Sequence, residues 1–177
     1  MIMKLDIKKE KNKILCIGDI ILDTYLKGDV NRISPEAPIP VLKLSDEINT
    51  IGGCGNVSRN ICSAGGFCHL ISVVGNDLEA DVLKNLLKEW KNLSFDLIKD
   101  NTRCTTKKER YVSGNQQILR VDKEENSKIS QNCKKLILQK FKKVISYCSI
   151  VVISDYNKGI LDESLKSQII GISKKKK

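Results

Sequence analysis

Short apolar runs alternate with amphipathic stretches along this chain, and the two periods mark out its elements. "KILCIGDI" (13–20) is an apolar run ending in Gly-Asp, the pattern of a buried strand that leads into a turn. "CHLISVVG" (68–75) and "SIVVISD" (149–155) have the same form, and "SFDLIK" (94–99) reads as a further strand. Helical patterns lie between them. After Gly52-Gly53, small or apolar residues at 54, 57, 58, 61 and 64 share one helix face, and Gly65-Gly66 ends it. "NDLEADVLKNLLKEWKNL" (76–93) predicts a helix with Leu78, Val82, Leu86 and Trp90 on its apolar face at i, i+4 spacing. A helix over 130–148 takes Ser130 as its cap, and another begins in 162–173. Apolar strands alternating with helices predict an α/β fold, a parallel sheet covered by helices on both faces.

Two stretches break the alternation. Residues 24–30 and 41–45 read as short exposed strands, and "TTKKERYVS" and "QQILRVD" as two more around a turn at 113–115. These polar strands predict an excursion off the sheet, a small β lid spanning about 24–45 and 105–122 of a single domain, 1–177. All three prolines of the chain, Pro35, Pro38 and Pro40, fall between the first two strands. Each ring fixes φ and biases the residue before it, here Ser34, Ala37 and Ile39, toward extended backbone. Local chemistry alone favours reading this segment as a rigid linker or an edge strand.

Composition narrows the class. The 177 residues are 41% hydrophobic and 29% charged, ordinary for a globular protein with a real core. No apolar run is long enough to cross a membrane, and "MIMKLDIKKEKNK" lacks the apolar stretch of a signal peptide, so a cytoplasmic protein is expected. The seven cysteines show no C-x-x-C pair, which argues for buried free thiols rather than a metal site or a disulfide framework. The net charge of +10 invites a nucleic-acid reading, but 26 of the 31 basic residues are lysines scattered along amphipathic stretches, and aromatics are 5%. That is too few for a stacking platform, and neither a nucleic-acid nor a membrane partner is expected.

The turns then carry a resemblance. "GDIILD" (18–23) and "GGCGNVS" (52–58), followed by Gly65-Gly66 and Gly75, resemble the first signature of the ribokinase-like PfkB sugar kinases, with Cys54 where a small residue is usual. "DTYLKGDVNRISPEAPIPVLKL" (23–44), "TTKKERYVSGNQQILRVD" (105–122) and "SDYNKGIL" (154–161) resemble the heptose-7-phosphate kinase branch of that superfamily. The likeness covers nearly all of residues 13–170. It implies a lid that closes over a sugar phosphate and often forms a homodimer contact, with ATP and Mg2+ as cofactors of the intact enzyme.

The same resemblance assigns candidate residues. Asp23 would accept from sugar hydroxyls, Gly52 and Gly53 would let backbone amides approach the sugar, and Asn56 would donate and accept there. Asp155, at a strand end, is a second candidate carboxylate. Arg32, Lys107, Arg110 and Lys158 are candidates for the phosphate, and Gln116, with Arg120 at an alternate position, for the lid underside. Bland readings stand beside these: a turn-capping Asp23, a helix-start polar Asn56, solvated surface cations. Asp19 reads as a residue that only shapes its turn, and His69, between Cys68 and Leu70 in a buried strand, reads as a core or edge histidine.

Only three or four core strands precede the terminal "SKKKK". The expectation is a C-terminally incomplete kinase domain, whose Gly-rich anion loop and general-base Asp would follow, and which is inactive alone. The alternatives are another sugar kinase of the superfamily, of the ribokinase or fructokinase type, and a non-catalytic sugar-binding or dimerisation module.

Overall fold

The computed structural model describes residues 13–175. The N-terminal stretch read for a signal peptide and the last two lysines of the terminal run lie almost wholly outside them.

Four strands make the core sheet: β1 (Lys13–Gly18), β4 (Cys68–Val74), β5 (Leu93–Lys99) and β8 (Cys148–Ser154). Their order is β5-β4-β1-β8, and every pair is parallel. Helices α1 (Cys54–Ser63) and α2 (Leu78–Lys88) cover one face, and α3 (Gln131–Val144) and α4 (Glu163–Lys174) the other. The period of two along each strand sorts the side chains between two cores. Leu15, Ile17, Ile71 and Val73 pack with Ile137 and Phe141 of α3 and Leu165 and Ile169 of α4. Cys16, Leu70 and Val74 pack with Cys54 and Cys62 of α1 and Ala80, Leu83 and Leu87 of α2. The fold is mixed α/β with a parallel sheet covered on both faces, as the pattern predicts.

The helices begin where short polar side chains satisfy free amides. Ser130 accepts from the Cys133 amide at 3.2 Å, Asp77 from Ala80 at 3.1 Å and Asp162 from Leu165 at 2.8 Å. The face of α2 departs from expectation. Leu78 is 81% exposed, and the buried residues are Ala80, Leu83 and Leu87. Strict i, i+4 steps advance about 40° each and fan around a helix, whereas i, i+3, i+7 holds one stripe. Val82, Leu86 and Trp90 flank that stripe, partly buried. The expected burial of "SIVVISD" also differs: β8 is an edge strand, and Val151, Val152 and Ile153 are only half-buried.

A second sheet, β3-β2-β6-β7, takes in both stretches expected to form the lid. β2 (Ile20–Ile33) and β3 (Pro40–Gly53) are antiparallel and fourteen residues each, much longer than the short strands expected. Their bases are buried at Ile20, Leu22 and Ile51, so the hairpin grows out of the core rather than beginning beyond it. The proline segment is the connection at its tip, closed by Ser34 N–H to the Ile39 carbonyl at 2.8 Å. β6 (Lys107–Ser113) pairs parallel to β2, and β7 (Gln116–Lys123) antiparallel to β6.

Among the described residues all seven cysteines are free, and all but Cys104 are buried. Burial pushes the Cys16 thiol up to about 11 and that of Cys68 to about 12, which keeps both as unreactive thiols. No described helix is long and apolar enough to cross a membrane.

Candidate functional site

The lid and the carboxyl ends of the core strands meet at the turn after β1. Paired residues on neighbouring strands share a face of the sheet. Asp23 of β2 pairs with Thr50 of β3 and Lys108 of β6, Lys108 pairs with Asp122 of β7, and Arg110 pairs with Arg120. One face of the lid therefore carries Asp23, Thr50, Lys108, Arg110, Arg120 and Asp122.

Asp23 is the centre of this face. Its Oδ1 accepts from Arg110 Nη1 at 2.5 Å, and the Arg110 guanidinium lies 5.3 Å from the centre of the Tyr25 ring. A Cβ on Gly52 would stand 2.1 Å from Asp23 Oδ2, so only glycine lets the β3 backbone come this close to the carboxylate. Gly53 has φ +58° and donates the chain into α1, where the Cys54 amide bonds the Asp19 carbonyl at 2.8 Å. Asn56 sits in the first turn of α1, half-buried, and its Oδ1 accepts from Arg59 Nη2 at 2.6 Å. Arg59 Nη1 reaches back to Thr50 Oγ1 at 2.9 Å. Asp23, Gly52, Gly53, Asn56 and Arg110 are thus brought together, and Thr50 and Arg59 join them.

The other candidates are placed differently. Lys107 pairs with buried Leu22, stands on the opposite face from Asp23, and is held by Glu109 at 2.7 Å. Lys108, one residue on, occupies the Asp23 face instead. Gln116 also leaves that face. The pairing of β6 with β7 shifts between Tyr111 and Val112 and leaves Ile118 unopposed. Beyond such a bulge the faces exchange, so Gln117, paired with Val112, continues the face of Arg110 and Gln116 does not. Arg32 lies nine residues along β2 from Asp23, about 30 Å at the rise of a strand, near the exposed tip.

Asp155 and Lys158 follow β8. Asp155 is exposed and accepts from the Asn157 amide at 2.9 Å and Lys166 Nζ of α4 at 3.2 Å. Lys158 Nζ pairs with Glu124 Oε2 at 2.7 Å, and Glu124 is also 3.6 Å from Lys108 Nζ. Lys108 in turn holds Asp122 at 2.7 Å. This run of charges ties the end of β7 to the loop after β8. Lys158 is the first cause of a lowered pKa at Glu124, and Lys108 at Asp122, so both carboxylates are held ionised.

Asp19 does more than shape its own turn. It is fully buried, and its Oδ2 accepts from the Tyr156 amide at 2.7 Å and the Lys158 amide at 3.3 Å. Burial pushes its carboxyl pKa up against those bonds. The loop can wrap it because Asn157 and Gly159 take positive φ, 58° and 80°. Sequence reasoning did not single out Arg59 or Lys108 and gave Asp19 only its turn. Register and helix phase place the first two, and a Gly-Asp turn is the only local sign of the third.

The pfkB family carbohydrate kinase model matches residues 11–169. The chain belongs to the pfkB family of carbohydrate kinases. It is 41% identical over 166 residues to the bifunctional protein HldE of Aliarcobacter butzleri, covering 94% of this chain and 35% of that protein. To the bifunctional protein HldE of Helicobacter pylori strain P12 it is 42% identical over 161 residues, 91% of this chain and 35% of that one. The chain thus spans about a third of the length of these curated relatives. In fold it matches a possible 1-phosphofructokinase from Thermotoga maritima at TM-score 0.71 and 17% identity, with 93% of this chain and 51% of that one covered. Phosphofructokinase-2 from Escherichia coli, in complex with fructose-6-phosphate, matches at TM-score 0.68 and 18% identity over 93% and 52% of the two chains.

Proposed function

We propose that this chain supplies the sugar side of an ATP-dependent heptose-7-phosphate kinase, which phosphorylates the anomeric hydroxyl of D-glycero-β-D-manno-heptose 7-phosphate on the way to ADP-heptose and lipopolysaccharide. The observation that carries the reading is the Asp23 carboxylate seated against Gly52, with Asn56 tied through Arg59 to Thr50, the cross-strand partner of Asp23, within the chain's likeness to the bifunctional HldE proteins. A carboxylate that only accepts, next to an amide that can donate, suits the hydroxyls of a sugar, which do both. Charge-assisted bonds of this kind are worth about 1.5–3 kcal/mol each. Lys108, Arg110 and Arg120 on the same face supply positive charge for the substrate's phosphate; of the cations expected from the sequence, Arg110 stands there, and Arg32, Lys107 and Lys158 do not.

Kinases of this family use ATP. Mg2+ would need oxygen-rich ligands. Among the described residues no group of three or more His, Cys, Asp or Glu side chains is placed to hold a metal ion, so Mg2+ has no ligands assigned here. In this reading the anion loop and general base belong to the part of the relatives' length that this chain does not span. What its own residues do is bind, orient and cover the sugar.

A homodimer through the lid is part of the proposal. Ile39, Pro40, Leu42, Tyr111, Ile118 and Leu119 line an apolar groove, and Ile33, Leu44 and Val121 are exposed nearby. Substrate choice tests the reading. Heptose 7-phosphate should bind this chain more tightly than fructose 6-phosphate or ribose in a calorimetric panel. Preference for either of the latter would favour another sugar kinase of the family.

A further inference from the structure

Three arginine or lysine side chains near Asp23 are accounted for by carboxylate partners, but Arg59 has none among the described residues. Its guanidinium bonds two neutral groups instead, Thr50 Oγ1 at 2.9 Å and Asn56 Oδ1 at 2.6 Å. It stands three residues after Asn56 on α1, so the two side chains lie on one side of the helix. Thr50 is the cross-strand partner of Asp23. Arg59 thus bridges the start of α1 to β3, the strand paired with that of Asp23.

A guanidinium has donors and no acceptor. The side of the Asn56 amide that meets it must be the oxygen, since an NH2 group there would set donor against donor. With the oxygen engaged, the remaining NH2 can only donate.

We propose that Arg59 is a positioning residue, which fixes the Asn56 amide so that its NH2 group donates to a substrate hydroxyl. This rests on reading the Asp23 face as the sugar site. The pairing has a consequence for recognition. Asp23 can only accept and the Asn56 NH2, so turned, can only donate, and a sugar hydroxyl or neighbouring pair of hydroxyls satisfies both at once. A group that only donates, such as an ammonium of an amino sugar, meets no acceptor at that NH2. Arg59 acts through Asn56 and does not itself hold the substrate's phosphate.

The test is a double-substitution cycle on the whole chain, read as affinity for heptose 7-phosphate and, separately, for the phosphate-free heptose. Arg59→Leu should weaken both by about tenfold, because a freely turning amide loses its oriented hydrogen bond. Asn56→Ala should weaken both similarly, and adding Arg59→Leu to it should cost nothing more. Asn56→Asp, which still accepts from Arg59 but has no NH2, should bind as poorly as Asn56→Ala. Arg59→Lys, which keeps a donor, should recover most of the affinity. A loss confined to the phosphorylated sugar would make Arg59 a direct phosphate contact and overturn the proposal, as would additive losses. If the unsubstituted chain binds neither sugar, the sugar-site reading fails on its own. The Asn56 side-chain amide signal in the nitrogen–proton NMR spectrum still decides the positioning: it should move on Arg59→Leu while signals outside α1 and β3 stay in place, and an unmoved Asn56 signal overturns it.

Discussion

Arg110 Nη1 donates to Asp23 Oδ1 at 2.5 Å across the parallel pairing of β2 with β6, so the lid's second hairpin is pinned to its first through the carboxylate that would read the sugar. Both side chains are about four-fifths buried. Arg110→Ala should destabilise the chain by about 1–2 kcal/mol, seen as a lower urea midpoint with unchanged slope. It should also weaken sugar-phosphate binding, because the carboxylate loses the group that orients it.

Gly52 sets the other side of the same carboxylate. Gly52→Ala places a methyl group 2.1 Å from Asp23 Oδ2 on the present backbone, so Asp23 must move. The expected outcome is a loss of about 1–3 kcal/mol in stability together with loss of sugar binding. Gly114, where an added Cβ meets nothing within 4 Å but φ is +56°, is the control: its alanine variant should cost some stability and leave binding unchanged.

Register predicts a difference between neighbours. Lys108 is on the Asp23 face and Lys107 is not. Lys108→Ala should weaken binding of the phosphorylated sugar more than that of the free sugar, and Lys107→Ala should change neither. The reverse pattern in a binding titration would mean that β6 pairs one residue out of step, and equal effects would mean that neither lysine is placed by register to meet the phosphate.

The face of α2 offers a stability test. Leu83→Ala removes a fully buried side chain and should cost about 2–5 kcal/mol, whereas Leu78→Ala, at 81% exposure, should stay within about 0.5 kcal/mol. Thermal or urea unfolding distinguishes the two.

His69 gives the chain a pH dependence. Its Nδ1 lies 2.8 Å from Ser94 Oγ and its Nε2 3.1 Å from Asp96 Oδ2, and Asp96 also holds Lys140 at 2.8 Å. Burial lowers the pKa of His69 and outweighs the pull of Asp96, with Lys13 and Lys140 adding to the lowering. The folded state therefore binds this proton less readily than the unfolded chain does. The resulting stability is full above the unfolded value, about 6.5, and is lost as pH falls from there through the lower folded value. Urea midpoints should fall with acidification below neutrality, and His69→Gln should flatten that part of the profile.

The layer order was legible because strands of period two and helices of period 3.6 alternate cleanly, and the second sheet was legible because its strands are polar where the core strands are not. Finer placement was not. An i, i+4 ladder in α2 picked Leu78 because it ignores the drift of the helix, and only packing reveals the stripe of Ala80, Leu83 and Leu87. Strand alternation assigned Gln116 to the face of Arg120, but a bulge at Ile118 exchanges those faces and leaves no mark in the residue types. Asp23, Gly52 and Asn56 could be named from their motifs. Arg59, an ordinary polar helix residue by pattern, needed the geometry of α1 against β3 to acquire a role.

The most direct measurement is a calorimetric titration of D-glycero-β-D-manno-heptose 7-phosphate into the unsubstituted chain and into its Asp23→Ala variant, with unfolding curves run on both. The account predicts saturable binding to the first and a loss of at least about tenfold in the second, the variant remaining folded. Binding that is absent from the unsubstituted chain, or that survives the loss of Asp23, would contradict it.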